Sequence, residues 1–235
     1  MEYRCVATSL EGFIQQLAVA YIAHGYFFYV SGFIPVGKDP EAIDKKLLDK
    51  YGIRLSKFAR YRRKALGQAS IQYLRFERFF VLIATHGKHQ FFWDEKDGGE
   101  GERIKDIRRS PLRFAGYSVS SRRRTGTGAQ LVSHVRIDKV SYLEIIDTLV
   151  ALAPTRSKAW LEYQFRSFPF EPYAPIRRQV MSIYGRVNEA RQKASQELLD
   201  HSCLRLRRKS LLPFSSPLSD ACLPGRTVSP SSAEN

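Results

Sequence analysis

Cysteine is scarce in this chain, and the scarcity bounds its chemistry. Cys5, Cys203 and Cys222 are far apart, odd in number and without CxxC spacing. Neither a disulfide framework nor a cysteine-built zinc site is expected, and a reducing, cytoplasmic setting is. The opening MEYRCVAT has no basic region, apolar core and small-residue cleavage site of a secretory leader. Catalytic signatures are missing too. The chain has no GxSxG elbow, no HExxH helix and no phosphate loop ending in GK[ST]. Thr125-Gly126-Thr127-Gly128 follows one strand pattern and leads into another, whereas a dinucleotide fingerprint needs a helix next. No cofactor is expected.

Acid is also in short supply: 23 Asp and Glu stand against 38 Lys and Arg, a net charge of +15. Such an excess favours an anionic partner, either nucleic acid or a lipid surface. Between Glu11 and Lys38 no charged residue of either sign occurs. That length spans a bilayer. However, Gln15, Gln16 and His24 interrupt it, and Gly25, Gly32 and Pro35 break its later half. A helix followed by a buried strand explains the missing charge, so no membrane span is expected.

What the chain does have is a strongly apolar centre, IQYLRFERFFVLIATHGKHQFFW, from Ile71 to Trp93. Phe79 to Ala84 is an uninterrupted β-branched and aromatic run, too short for an ordinary helix, and fits a strand covered on both faces. Ile71 to Phe76 and Gln90 to Trp93 read as its neighbours, with turns near Glu77-Arg78 and at His86 to His89. Before this centre, Tyr3 to Ala7 reads as a strand. Thr8 and Glu11 have the spacing of a capping box, and Leu10, Phe13, Ile14, Leu17, Ala18 and Tyr21 recur at helical spacing up to His24-Gly25. Tyr26 to Ile34 is a strand, and Asp39-Pro40 opens a further helix.

After the centre, Asp94 to Glu102 holds five acids and three glycines without the register of a calcium loop, which marks an exposed linker. Leu112 to Ser120 and Val132 to Ile137 read as strands. YRCVATSLEGFIQQLAVA and HVRIDKVSYLEIIDTLVA share a strand-then-helix layout, with too few identities to establish a duplication. Helices are expected from Asp138, from Ser157 and from Pro175, the last with Ile176, Val180, Ile183, Tyr184 and Val187 inward. Arg177, Arg178, Arg186, Arg191 and Lys193 are expected on its other side. Phe168 to Pro175 reads as an extended strap.

The expected fold is α+β. It has a mixed or mainly antiparallel sheet, strand–helix units packed on one face and a helical C-terminal extension. The expected divisions are a basic core at 1–153, the extension at 154–209, and a Ser/Pro-rich tail without a fold at 210–235.

Two basic clusters carry the functional expectation. Arg54, Lys57, Arg60, Arg62, Arg63 and Lys64 occur with no acid among them, on a helix whose modest apolar stripe is Phe58, Tyr61 and Ala65. Like charges without i,i+4 acids repel, so a counter-ion is expected there. Arg122, Arg123 and Arg124 precede a glycine-bearing hairpin loop, where arginine forks pair with phosphate. The expected partner is nucleic acid, DNA or RNA, with Tyr61 available for stacking. The alternative is a metal-dependent nuclease or a transposition-type enzyme using His86, His89 or His134.

THGKH, from Thr85 to His89, lacks the His-x-His pair of rolling-circle replication proteins and single-tyrosine transposases. LAVAYIAHGYF, from Leu17 to Phe27, resembles the small-residue helix of the LAGLIDADG homing endonucleases, which ends in an acid and Gly-Tyr-Phe. His24 stands at the acid's position, so the resemblance implies no metal-holding carboxylate there.

Overall fold

The computed structural model describes residues 3–94, 104–124, 130–208 and 211–214. Two antiparallel sheets organise them. The first contains β1 (Tyr26–Phe33), β2 (Ile71–Phe76), β3 (Phe79–Thr85) and β4 (Lys105–Asp106) in the order β2-β3-β1-β4. The second contains β5 (Leu112–Phe114), β6 (Tyr117–Arg123) and β7 (Leu131–Ile137) in chain order. Around them lie α1 (Leu10–Gln15), α2 (Pro40–Lys50), α3 (Lys57–Ala65), α4 (Phe91–Asp94), α5 (Lys139–Leu152), α6 (Lys158–Arg166) and α7 (Ala174–Lys193). The fold is α+β. No helix among the described residues is long and apolar enough to cross a membrane.

β3 is interior, with β2 on one side and β1 on the other. Its alternate side chains serve two cores. Phe79, Val81 and Ile83 join a large cluster with Phe13, Ile14 and Leu17 of the first helix. Leu82 and Ala84 join a smaller one with Leu48, Tyr51, Ile53, Tyr73 and Phe91. Helices therefore cover both faces of this sheet, which is why the strand reads as continuous apolar sequence. Phe114 of β5 stacks on Phe79 at 3.9 Å with a 6° interplanar angle, tying the second sheet to the first. Leu82→Ala is expected to cost about 2–5 kcal/mol, because a cavity adds to the lost transfer energy. Urea unfolding of the variant measures it, and a loss below about 0.5 kcal/mol would contradict an interior β3.

Several elements depart from the sequence expectation, each for a local reason. Tyr3 to Ala7 makes a single parallel bridge, Val6 to Arg75, rather than a strand; Ala7 N donates to the Arg75 carbonyl at 2.7 Å. The first helix is capped one residue later than expected: Ser9 Oγ accepts from Gly12 N at 3.1 Å. Gln90 to Trp93 is not a strand. His89 Nδ1 accepts from Phe91 N at 3.1 Å and starts α4. Leu112 to Ser120 is broken into a hairpin at Ala115 and Gly116, with φ of 46° and 76°. A Cβ on Gly116 would meet the Phe170 ring at 2.9 Å.

The C-terminal helices close the large cluster. α7 lies along β7, where Gln179 pairs with both backbone groups of Ile137, accepting from its N–H at 2.9 Å and donating to its carbonyl at 3.1 Å. The strap buries Phe168 and Phe170. Arg191 is not on the solvent side of α7, as the charge pattern implied, but 1% exposed. Residues 211–214 lie beyond the boundary expected at 209, yet they rest on the first helix. Pro213 O accepts from Thr8 N at 3.1 Å, and Leu211 O accepts from Gln15 Nε2 at 2.6 Å. Gly12 permits this approach, since a Cβ there would sit 2.9 Å from Pro213 Cα. The rest of the tail lies outside the described residues.

Candidate nucleic-acid interface

The charge-free stretch builds one wall of a cleft. α1 continues as a π-helical segment, Gln16–Tyr21, and a 3₁₀ turn, Ile22–His24, before Gly25 turns left-handed at φ 89°. Phe13, Ile14, Leu17, Ala18 and Ile22 face the core. Gln16, Ala20, Tyr21 and His24 line the cleft. The wider turn of a π segment changes which side chains share a face, and such segments are frequent at functional sites.

The cleft encloses about 1670 Å³. Its floor is a network of phenols and amides. Tyr3 OH donates to Gln72 Oε1 at 2.7 Å and accepts from Tyr73 N at 3.1 Å. Gln72 Nε2 donates to Tyr26 OH at 3.3 Å, and Tyr26 OH pairs with Ser70 Oγ at 3.1 Å. Burial pushes the Tyr21 hydroxyl up to about 12 and raises those of Tyr3 and Tyr73 further, so all three keep their protons at neutral pH.

Beside this floor, Asp44 of α2 grips Arg75 of β2. Arg75 Nε donates to Oδ1 at 2.8 Å and Nη2 to Oδ2 at 2.8 Å, while Tyr73 OH donates to Oδ1 at 2.6 Å. The rim carries Arg4, Lys45, Arg54, Lys57 and Arg60 against the acid Glu41, since Asp44 is engaged by Arg75. Arg54 also lies 3.7 Å from exposed Asp49.

α3 stands at the mouth and buries none of its residues. Ser56 Oγ caps it by accepting from Ala59 N at 3.2 Å, and Arg60 Nη1 reaches back to the Leu55 carbonyl at 2.6 Å. That contact turns the Arg60 side inward. Arg60 and Arg63 are half-buried, while Lys57, Arg62 and Lys64 are exposed. The apolar stripe faces solvent: Phe58 is 76% and Tyr61 74% exposed. Lys64 Nζ comes within 4.0 Å of the point a Cβ on Gly25 would occupy.

The second cluster lies apart from the cleft lining. Arg122 and Arg123 end β6, and Arg124 N donates to the Gln130 carbonyl at 2.9 Å. Residues 125–129 of the hairpin lie outside the described residues, as does most of the acidic linker. Across the same sheet, His134 of β7 pairs with Ser120 of β6, two residues from Arg122. Burial, then the positive charge of Arg122, Arg136 and Arg178, lowers the His134 pKa from its ordinary value.

The structure thus brings Arg54, Lys57 and Arg60 into one cleft and sets Arg62, Arg63 and Lys64 further along the same helix. Arg122 to Arg124 sit on the other sheet. Sequence reasoning missed Arg4, Lys45 and the polar floor; Gln72, an amide inside an apolar strand pattern, was the one readable sign.

The histidines stand in three settings. His86 packs against Phe28, with ring centroids 6.2 Å apart. His89 caps α4, and burial followed by Arg63 lowers its pKa. His134 is in the second sheet. Among the described residues no group of three or more His, Cys, Asp or Glu is placed to hold a metal ion. No protein-family model matches the chain, and no curated protein sequence is similar enough to count as a relative.

Proposed function

We propose that this chain binds nucleic acid, with phosphates held along the rim of the cleft between the first helix, α2 and α3. The observation that carries this is the rim itself. Five cations face an opening whose acids are Glu41 and the already paired Asp44. An anion in such a concave, positive site gains from every cation at once. The cleft is open to solvent along its length, so a chain can lie in it and run out at either end.

The test is a salt titration with labelled DNA and RNA, comparing wild type with Lys45→Gln/Arg54→Gln/Lys57→Gln. Each phosphate contact releases condensed counter-ion, so the triple variant should flatten the log–log salt slope by about two to three units on duplex DNA. Its stability should change little, since these cations are exposed. Equal slopes in the two proteins would remove the cleft from the interface. No binding of either nucleic acid at low salt would reject the function.

A further inference from the structure

We infer that the outward face of α3 is a stacking platform for unpaired bases, so that the cleft takes single-stranded in preference to double-stranded nucleic acid. This rests on the nucleic-acid reading above and narrows it to one class of ligand.

An amphipathic helix ordinarily turns its apolar stripe inward. α3 does the opposite, leaving Phe58 and Tyr61 about three-quarters exposed while Arg60 and Arg63 are half-buried. Ser56 caps its start, and Arg60 reaches back to the Leu55 carbonyl on the side away from these rings. At 100° per residue, Phe58, Tyr61 and Ala65 share a face, with Lys57 and Lys64 along one border and Arg62 along the other. Two aromatic rings about 4.5 Å apart along the axis, edged by cations, match a strand whose bases stack while its phosphates pair.

A duplex hides its base faces and offers these rings little. An unpaired strand offers every face, and aromatic stacking accepts any base. Phe58 also lines the cleft, so a strand lying on α3 continues along the rim cations Lys57, Arg54 and Lys45. A lipid surface would meet the same exposed rings and cations, and the vesicle arm of the experiment below tests it.

The experiment measures fluorescence anisotropy with labelled oligothymidylate, a labelled duplex of equal length, and labelled phosphatidylserine–phosphatidylcholine vesicles. Proteins are wild type, Phe58→Ala/Tyr61→Ala and Phe58→Trp/Tyr61→Trp, with circular dichroism to confirm the fold. The alanine pair should weaken oligothymidylate binding at least about tenfold and leave the duplex within about twofold, and the tryptophan pair should restore the single-strand affinity. Wild type that binds both nucleic acids, with an alanine pair that weakens neither or both equally, would overturn the platform and leave the proposed function standing. Vesicle binding that exceeds oligothymidylate binding and disappears in the alanine pair would also overturn it. Wild type that binds neither nucleic acid would remove the proposed function and this inference together.

Discussion

Asp44→Ala is expected to destabilise the protein by about 3–5 kcal/mol, because it strands a buried guanidinium. Asp44 and Arg75 are 6% and 8% exposed, and they meet in a two-pronged pair. Without the carboxylate, Arg75 keeps the Glu77 carbonyl at 2.7 Å, and Tyr73 OH loses its acceptor. The loss comes mainly from the uncompensated charge rather than from the net worth of the pair. Asp44→Leu combined with Arg75→Met should therefore recover much of it. Chemical denaturation of the two variants separates these contributions. If Asp44→Ala lost less than about 1 kcal/mol, the pair would not be what fastens α2 to β2. The same variant should weaken nucleic-acid binding, since α2 carries one wall of the cleft.

The elements that were legible in the sequence are those whose signal is local. Phe79 to Ala84 announced an interior strand through unbroken apolar character, and β3 lies between β2 and β1. Asp39 and Asp138 announced helix starts, and both carboxylates accept from backbone N–H groups in the next turn. The misread elements were decided by contacts at a distance or by one unusual dihedral. Gln90 to Trp93 has strand-like composition, but His89 caps it as a helix. Ala115 adopts φ 46°, a conformation no propensity assigns to alanine, in the two-residue turn set by the Phe114–Tyr117 pairing of β5 on β6.

The candidate site was legible as charge and illegible as shape. Six cations between Arg54 and Lys64 are visible in any reading of the chain. Which way α3 faces is not, because a stripe of Phe58, Tyr61 and Ala65 is too narrow to fix it and α3 buries none of its residues. The cleft is still less visible. It joins Tyr3 and Arg4, the π segment, α2 and Gln72, and no spacing rule links positions so far apart in the chain.

Arg191→Met is expected to cost about 3–5 kcal/mol, which a charge-pattern reading of α7 would not suggest. By charge alone Arg191 groups with Arg186 and Lys193, on the polar side. Yet Val187 and Arg191 are four apart, so Arg191 extends the row that begins Ile176, Val180 and Ile183. Its stem is buried along that row and its head finds carbonyls. Nη1 donates to Ala153 O at 2.9 Å and Arg156 O at 2.8 Å, and Nε donates to Glu197 O at 2.6 Å. Ala153 ends α5, where unsatisfied carbonyls carry partial negative charge, so a buried cation is well answered there. Methionine fills much of the space but leaves those acceptors unmatched, at about 1–3 kcal/mol for each one that stays buried. Lysine supplies donors without the planar fork and should recover only part of the loss. Lys193→Ala is the comparison: its pair with Glu189 is exposed, and it should cost under about 0.5 kcal/mol. Urea denaturation of the three variants measures the order Met, Lys, then the Lys193 variant, from largest loss to smallest. Equal small losses in all three would mean that Arg191 does not hold the end of α7 to the end of α5.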